Sequence, residues 1–436
     1  MPNWIGAKEA AGRLGIKQAS LYSYVSRGVL TRRRGADGKG SLFDAEEIEG
    51  LARRGRPRRA PGQAELIIES ALTEISGDQL RYRGADATVL AAHRRFEDVA
   101  TLLWTGSLGE QEPFVPWQVT AAAVTVASAA QAALPAGTLP LERLQVIVPA
   151  MAATDPLRLQ LDRPAVIAAA RSLIAGMADS LPPPGLPGPG PAPATASGPG
   201  PAIPSGPGTP TGPATPSGPG PIAERLAARL SPRPLRAGLT DALRCALVLL
   251  ADHELAASTL AARVAASVRA DPYAVAATGL GALGGALHGG ASLGAEVMLA
   301  AAAGPADAPR VVGDLLRRGE KIPGFGHFVY KTGDPRAVML LKVIRQAAPD
   351  SPRLAVAQAV AAEARRRALP EPNIDFALAV LADVGGLIPG ASEAVFAIAR
   401  TAGWLAHAME EYARDTPIRP RGIYTGPAAV DGLLGR

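Results

Sequence analysis

The sequence predicts a mainly α-helical protein, with a short basic head in front of a long helical body. Three observations predict it. Of its 436 residues, 47% are hydrophobic yet only 4% are aromatic, and much of the apolar share is Ala, a balance that favours packed helices over sheet. Small and apolar residues recur at helical spacing between Gly and Pro breaks. Charge is also unevenly placed: residues 1–60 hold 13 Lys/Arg against 6 Asp/Glu, leaving 32 against 33 for the rest. The basic balance thus belongs to the head, and points to a nucleic-acid contact there only.

In the head, residues 7–14 have helical spacing, Gly15-Ile16 breaks it, and residues 18–27 start a second helix with Leu21, Tyr22 and Val25 on one face. Two short helices across a glycine turn form a helix-turn-helix unit. Arg32, Arg33 and Arg34 follow, then a turn-prone GADGKG, a short apolar Leu42-Phe43, and a third helix over residues 44–52 with an acidic first turn. Leu14, Leu21, Val25 and Leu30 are the expected small core. Residues 53–59 (RRGRPRR) read as a basic linker.

From residue 63 to about 180 the sequence reads as helices with Pro/Gly breaks. Residues 181–222 hold no charge and 16 of the 41 prolines; such a stretch cannot bury enough surface to offset chain entropy, and is expected to be a disordered loop. Helical sequence resumes at 223 and runs to the end, interrupted by two Gly-rich turns carrying histidine. The uncharged stretches 113–141 and 272–295 are broken by Pro and Gly and are weighted towards Ala, so they read as buried helices rather than membrane spans. The start lacks the pattern of a signal peptide, so a soluble cytoplasmic protein is expected. Cys245, the single cysteine, opens an apolar run and is expected in the core.

Chemistry concentrates on three histidine settings: ADHELAAST around His253, GALHGGAS around His288, and IPGFGHFVYKTGDPRA around His327. The flanking glycines let backbone pass close to a ligand. No histidine pair or cysteine has zinc-site spacing, so no metal is expected.

GALHGGA, PGFGHFVYKTGDPRA, PNIDF, VFAIARTAGWLAHAMEE and IRPRGIYTG, preceded by LRYRGADATVL…FEDVATLLWTGSL, stand in an order that resembles the citrate synthase family over residues 65–430, apart from the Pro/Gly loop. The resemblance implies a citrate synthase fold with large and small helical domains. The large domain would comprise 61–180, 223–288 and 386–436, and a mobile small domain 289–385. It implies condensation of acetyl-CoA with oxaloacetate and water to citrate and CoA, the first step of the tricarboxylic acid cycle, with the CoA thioester as substrate and no cofactor. By the same resemblance, Asp375 is the general base, His288 donates to the thioester oxygen as it becomes an enol, and His327 polarises the oxaloacetate ketone. Arg336, Arg400, Arg419 and His253 hold oxaloacetate, as planar guanidinium forks suit carboxylates, and Phe396 lies beside the product. Arg419 would come from the other subunit of a homodimer. Ile322, Pro323, Gly324, Gly326 and Lys331 would lie near CoA. Departures are Ala256 for the usual Asn, Ser292 and Leu293 for the usual Asn and Glu, and Phe328 for a frequent Arg.

Residues 4–59 resemble the winged helix-turn-helix of MerR-like and excisionase-like proteins. That implies DNA contact through Lys17, Gln18, Ser20, Tyr22 and Arg27, with Ser23 nearby and Arg32, Arg33 and Arg34 gripping phosphate. A silent or protein-binding module is the alternative for the head. For the whole chain, the rivals are a 2-methylcitrate synthase using propionyl-CoA and a DNA-binding regulator using the fold as a metabolite sensor.

Overall fold

The computed structural model describes residues 4–14, 21, 24–25, 30–34, 40–53, 68–108, 114–185, 220–414, 416–422 and 425–426. Lys17, Gln18, Ser20, Tyr22, Ser23 and Arg27, the linker 54–59 and most of the Pro/Gly stretch lie outside them. The chain divides into two units, Met1–Glu69 and Ser70–Arg436.

In the first unit, strands Trp4–Gly6, Arg32–Arg34 and Ser41–Asp44 form an antiparallel sheet in which Ser41–Asp44 is central, pairing Ile5 with Phe43 and Arg33 with Leu42. Leu42-Phe43 is therefore part of a strand. Helices Ala7–Leu14 and Ala45–Arg53 accompany the sheet. Asp44 caps the second helix by accepting from the Glu46 N–H at 2.8 Å, which fits its acidic start. Ile5, Ala10, Ala11, Leu21, Leu30, Phe43, Ala45 and Ile48 make a small core, with Leu14 and Val25 packed against it. All four apolar residues expected inside the head are there. Arg32 and Arg33 are exposed.

The second unit is helical, with one correction to the sequence reading. Residues 73–86, expected within a helical run, form a three-stranded antiparallel sheet of Thr73–Ser76, Gln79–Tyr82 and Ala85–Asp86. The reason is local. Gly77 and Gly84 take the left-handed conformation (φ +59° and +84°), and between them Leu80 and Tyr82 alternate inward, the period of a strand. Tyr82 then faces its hydroxyl to the carbonyls of Val248, Leu249 and Asp252 at 3.1 Å each, so the sheet buttresses the segment leading to His253.

Helix Ala391–Tyr412 is the axis of the core. It is buried nearly all round and packs on helices Arg163–Ser180, Ala237–Leu250, Ala257–Ser267 and Pro272–Leu283. Its small residues allow this. A Cβ on Gly403 would sit 2.5 Å from the Ala251 carbonyl oxygen, so glycine is required where the helix passes Ala251 and Asp252. Helices Ala87–His93, Phe96–Thr105, Ala121–Gln131, Pro140–Ala152 and Ile222–Leu230 belong to the same unit, as do Gly290–Ala300, Ala308–Arg317, Pro335–Ala347, Pro352–Arg366 and Ile374–Gly385. Cys245 is fully buried, and burial pushes its thiol up to about 12. Among the described residues no helix is long and apolar enough to cross a membrane.

Candidate active site

Four chain segments converge. The first is the turn after Leu250, where Glu254 takes a left-handed backbone (φ 53°), sparsely populated for a non-glycine residue. Its neighbour His253 is buried, with Nε2 3.0 Å from the Tyr330 hydroxyl. The second is the Gly-rich turn carrying His288, whose Nε2 lies 2.8 Å from Ser258 Oγ and whose ring meets Phe396 edge-on at 5.7 Å.

The third is the loop from Ile322 to Arg336. Gly324 and Gly326 have φ of +79° and +78°, and a Cβ on Gly324 would sit 2.7 Å from the Phe376 Cβ, so only glycine lets the loop lie against the start of helix Ile374–Gly385. There Asn373 ties the two together. Its backbone N–H donates to the Gly324 carbonyl (2.8 Å) and its Nδ2 to the Gly326 carbonyl (2.8 Å). Its Oδ1 caps the helix by accepting from the N–H groups of Asp375 and Phe376. The His327 ring is held at Nδ1, which accepts from the Val329 N–H at 3.0 Å and the Tyr330 N–H at 3.3 Å. A neutral imidazole held this way carries its proton on Nε2, so Arg336 Nη2, 3.3 Å from that atom, is an electrostatic neighbour and not a hydrogen-bond partner. Arg336 is buried in a fork with Asp334, Nε to Oδ1 at 2.9 Å and Nη2 to Oδ2 at 2.8 Å, and Oδ2 also accepts from the Ile374 N–H.

The fourth segment is helix Ala391–Tyr412, which supplies Phe396 and, one turn on, Arg400. The guanidinium lies 4.8 Å from the Phe396 ring and its Nε donates to the Leu250 carbonyl at 2.8 Å, but buried Nη1 and Nη2 have no partner among the described residues. Two orphaned charged donors in a buried pocket are costly unless an anion meets them.

Charge follows from this packing. Burial, then Arg400, pushes His288 down to about 4; burial, then Arg336, does the same to His327. Burial leads again in lowering His253, with Arg336, Arg400 and the other two imidazoles adding to it. All three rings are therefore neutral near pH 7. Burial raises Asp375, against the Ser292 hydroxyl that donates to its Oδ1 at 2.6 Å and against Arg336. Burial lowers Arg400 to about 10, with Asp252 opposing.

His253, His288, His327, Arg336, Asp375, Phe396 and Arg400 thus lie together. Arg419 does not: it is exposed, on a segment where the Ile418 N–H donates to Ser267 Oγ at 3.0 Å. Ile322 and Gly324 are buried, Pro323 and Gly326 are partly so, and Lys331 is exposed with Nζ donating to the Phe328 carbonyl. Pro323 borders a cleft of about 490 Å³ shared with Leu293, Gly294, Val297, Arg310 and Arg318. Sequence reasoning assigned no site role to Tyr330, Ser258, Asp334, Asn373 or Ser292. Asp334 and Asn373 were findable, since each precedes a helix start as a capping residue, in DPR and NID. Ser258 and Tyr330 carry no such local signal. Ala256, at the N-cap of helix Ala257–Ser267, offers no side-chain cap.

A helical fold around a carboxylate, neutral imidazoles and open guanidinium donors defines an enzyme of acid–base chemistry on anionic substrates. The family model for the citrate synthase C-terminal domain matches residues 63–421. The citrate synthase of Haloferax volcanii is 30% identical over 380 residues, covering 84% of this chain and 95% of its own. The 2-methylcitrate synthase of Mycobacterium tuberculosis is 29% identical over 393 residues, covering 85% and 91%. Among solved structures, the citrate synthase of Thermoplasma acidophilum, in ternary complex with carboxymethyl coenzyme A and oxaloacetate, aligns with a TM-score of 0.65 at 25% identity, over 84% of this chain and 96% of that one. The chain belongs to the citrate synthase family, and is a transferase of that type.

Proposed function

We propose that this chain condenses acetyl-CoA with oxaloacetate and water to give citrate and CoA. The observation that carries the reading is Arg400, whose two buried nitrogens have no partner among the described residues and whose charge acts on His288 and Asp375. In this mechanism Asp375 takes a proton from the α-carbon of the thioester. With Ser258 donating to Nε2, His288 presents Nδ1–H to the thioester oxygen as charge develops on it. The α-carbon then attacks the ketone carbon of oxaloacetate, and the ketone oxygen is met by Nε2–H of His327. Water finally cleaves the thioester and releases CoA. Arg336, Arg400 and His253 bind the oxaloacetate carboxylates. Neutral donors suit this task, because they stabilise developing negative charge without first giving a proton to solvent. The Ile322–Gly326 loop, Lys331 and the neighbouring cleft are the proposed CoA side, and residues 289–385 the domain that moves on it.

Arg419 completes the oxaloacetate set from a second copy of the chain, which makes the active form a homodimer; its exposure away from its own pocket supports this reading. The test is oxaloacetate-dependent thiol release with acetyl-CoA and with propionyl-CoA. No free thiol above background with either one would sink the enzymatic reading. A dominant rate with propionyl-CoA would favour 2-methylcitrate synthesis, the reading supported by the M. tuberculosis relative.

For the head, we propose a winged helix-turn-helix that contacts DNA. A basic strand, Arg32–Arg34, paired with Ser41–Asp44, and helices Ala7–Leu14 after the first strand and Ala45–Arg53 after the last support it. Affinity should fall with salt at a log–log slope of about −0.9 per phosphate neutralised. Deleting residues 1–60 should abolish binding and leave condensation intact. Full-length protein that shifts no DNA at low salt would return the head to a silent or protein-binding module.

A further inference from the structure

Helix Gly290–Ala300 starts two residues after His288, and its third residue, Ser292, is fully buried. The Ser292 hydroxyl donates to Asp375 Oδ1 at 2.6 Å, a short charge-assisted contact. No other side-chain donor meets the Asp375 carboxylate among the described contacts. We propose that Ser292 is a positioning residue of the condensation: it holds the base by Oδ1, leaves Oδ2 to take the α-proton, and ties the base to the helix start that carries His288. This rests on the reading of Asp375 as the base.

The geometry makes the tie direct. Asp375 is fixed from its own helix by Asn373, which sets the backbone but does not touch the carboxylate. The side chain still has χ1 and χ2 to settle, and Ser292 is the group that settles them. The short serine side chain reaches Asp375 because helices Gly290–Ala300 and Ile374–Gly385 pack on each other. The charged groups acting on Asp375 are Arg336 and Asp334, from the start of helix Pro335–Ala347, and Arg400, from helix Ala391–Tyr412. Glu393, on that last helix, is within electrostatic reach of Asp375, and Glu296, on the helix of Ser292, acts on Glu393. The two arginines favour the ionised carboxylate from a distance, whereas Ser292 favours it by contact.

The sign follows. Only the ionised carboxylate can take the proton, so turnover falls on the acid side as Asp375 protonates. A donor to the ionised form lowers its pKa, and removing that donor leaves burial opposed only by the arginines. In Ser292→Ala the acid limb of kcat against pH should move up by about one unit, with plateau kcat down roughly tenfold. KM for oxaloacetate should stay within about twofold, because Ser292 makes no contact with the arginines that bind it. Ser292→Cys keeps the volume and a weak donor, and should shift the limb less. Should Ser292→Ala not fold, the Cys variant carries the test, since any upward shift supports the proposal. An unmoved acid limb in a folded variant overturns it, whatever the plateau does. Asp375→Asn, measured in parallel, separates the failures: normal turnover there removes the base itself, whereas inactive Asp375→Asn beside an unmoved Ser292→Ala limb removes only the role of Ser292.

Discussion

The two buried arginines of the site are built in opposite ways. Arg336 is paired along one edge: Asp334 takes Nε and Nη2, accepts from Ile374, and holds the guanidinium above its ordinary value against the opposing pull of burial. Arg400 is open, with one nitrogen on a backbone carbonyl and two on nothing among the described residues. The same residue type at the same depth therefore does two jobs. A bidentate ion pair fixes the geometry of a loop, here the one carrying His327, and of the guanidinium it presents. An unsaturated cation stores binding capacity, because its desolvation is already complete before an anion arrives.

The largest expected effect tests the paired half. Asp334→Ala leaves Arg336 buried and uncompensated, which should destabilise the fold by about 3–5 kcal/mol, read as a lower denaturant midpoint. A loss under about 1 kcal/mol would mean that Arg336 is not held as described.

Next comes chemistry without binding. Asp375→Asn keeps shape and removes basicity, so turnover should drop at least about 10²-fold, while calorimetry with oxaloacetate alone should show near-normal affinity. Near-normal turnover would hand the proton to another group.

The open half should respond in affinity rather than stability. Arg400→Leu removes charge-assisted donors worth about 1.5–3 kcal/mol, roughly ten- to a hundredfold in Kd for oxaloacetate. Unfolding free energy should stay within about 1 kcal/mol of the parent, since replacing a poorly paired buried charge by an apolar group is often neutral. The same change removes a positive charge near His288. Its imidazolium becomes easier to form, so the pKa should rise from about 4 towards 6.5, measurable by NMR titration. An unshifted His288 would break the link between the two.

The smallest effect lies at the edge of the site. Ala256 occupies an N-cap with no side-chain bond, and Ala256→Asn should add about 1 kcal/mol by capping helix Ala257–Ser267. Unchanged thermal stability would show that the cap position is already solvated well enough.

Much of this was legible in the primary structure. Apolar spacing foretold the helices of the long body, and Leu21 and Leu30 of the small head core were named, with Leu14 and Val25 packed against it. Glycine-flanked histidines and PNIDF marked the residues that meet in the pocket. The sheet at residues 73–86 escaped because its strands are only two to four residues long, too short for alternation to stand out from a helical run. Ser258 and Tyr330 escaped for another reason. Each matters through a partner distant in sequence, His288 for Ser258 and His253 for Tyr330.

Residue type and local spacing are properties of neighbours along the chain, so the sequence by itself determined helix or break, apolar or charged face, and which side chains could carry acid–base chemistry. Whether a given charge is saturated depends also on neighbours in space. Only the packing of helix Ala391–Tyr412 against the Ala251–Asp252 turn leaves Arg400 open. Arg336 is paired by Asp334, two residues before it, and His327 Nδ1 is held by the N–H groups of Val329 and Tyr330 just after it, while tertiary structure adds the Ile374 N–H that steadies Asp334. Arg336 therefore carries its partner in the DPR turn, legible in the sequence, whereas the open nitrogens of Arg400 depend on what tertiary contact brings, or fails to bring, within about 3 Å.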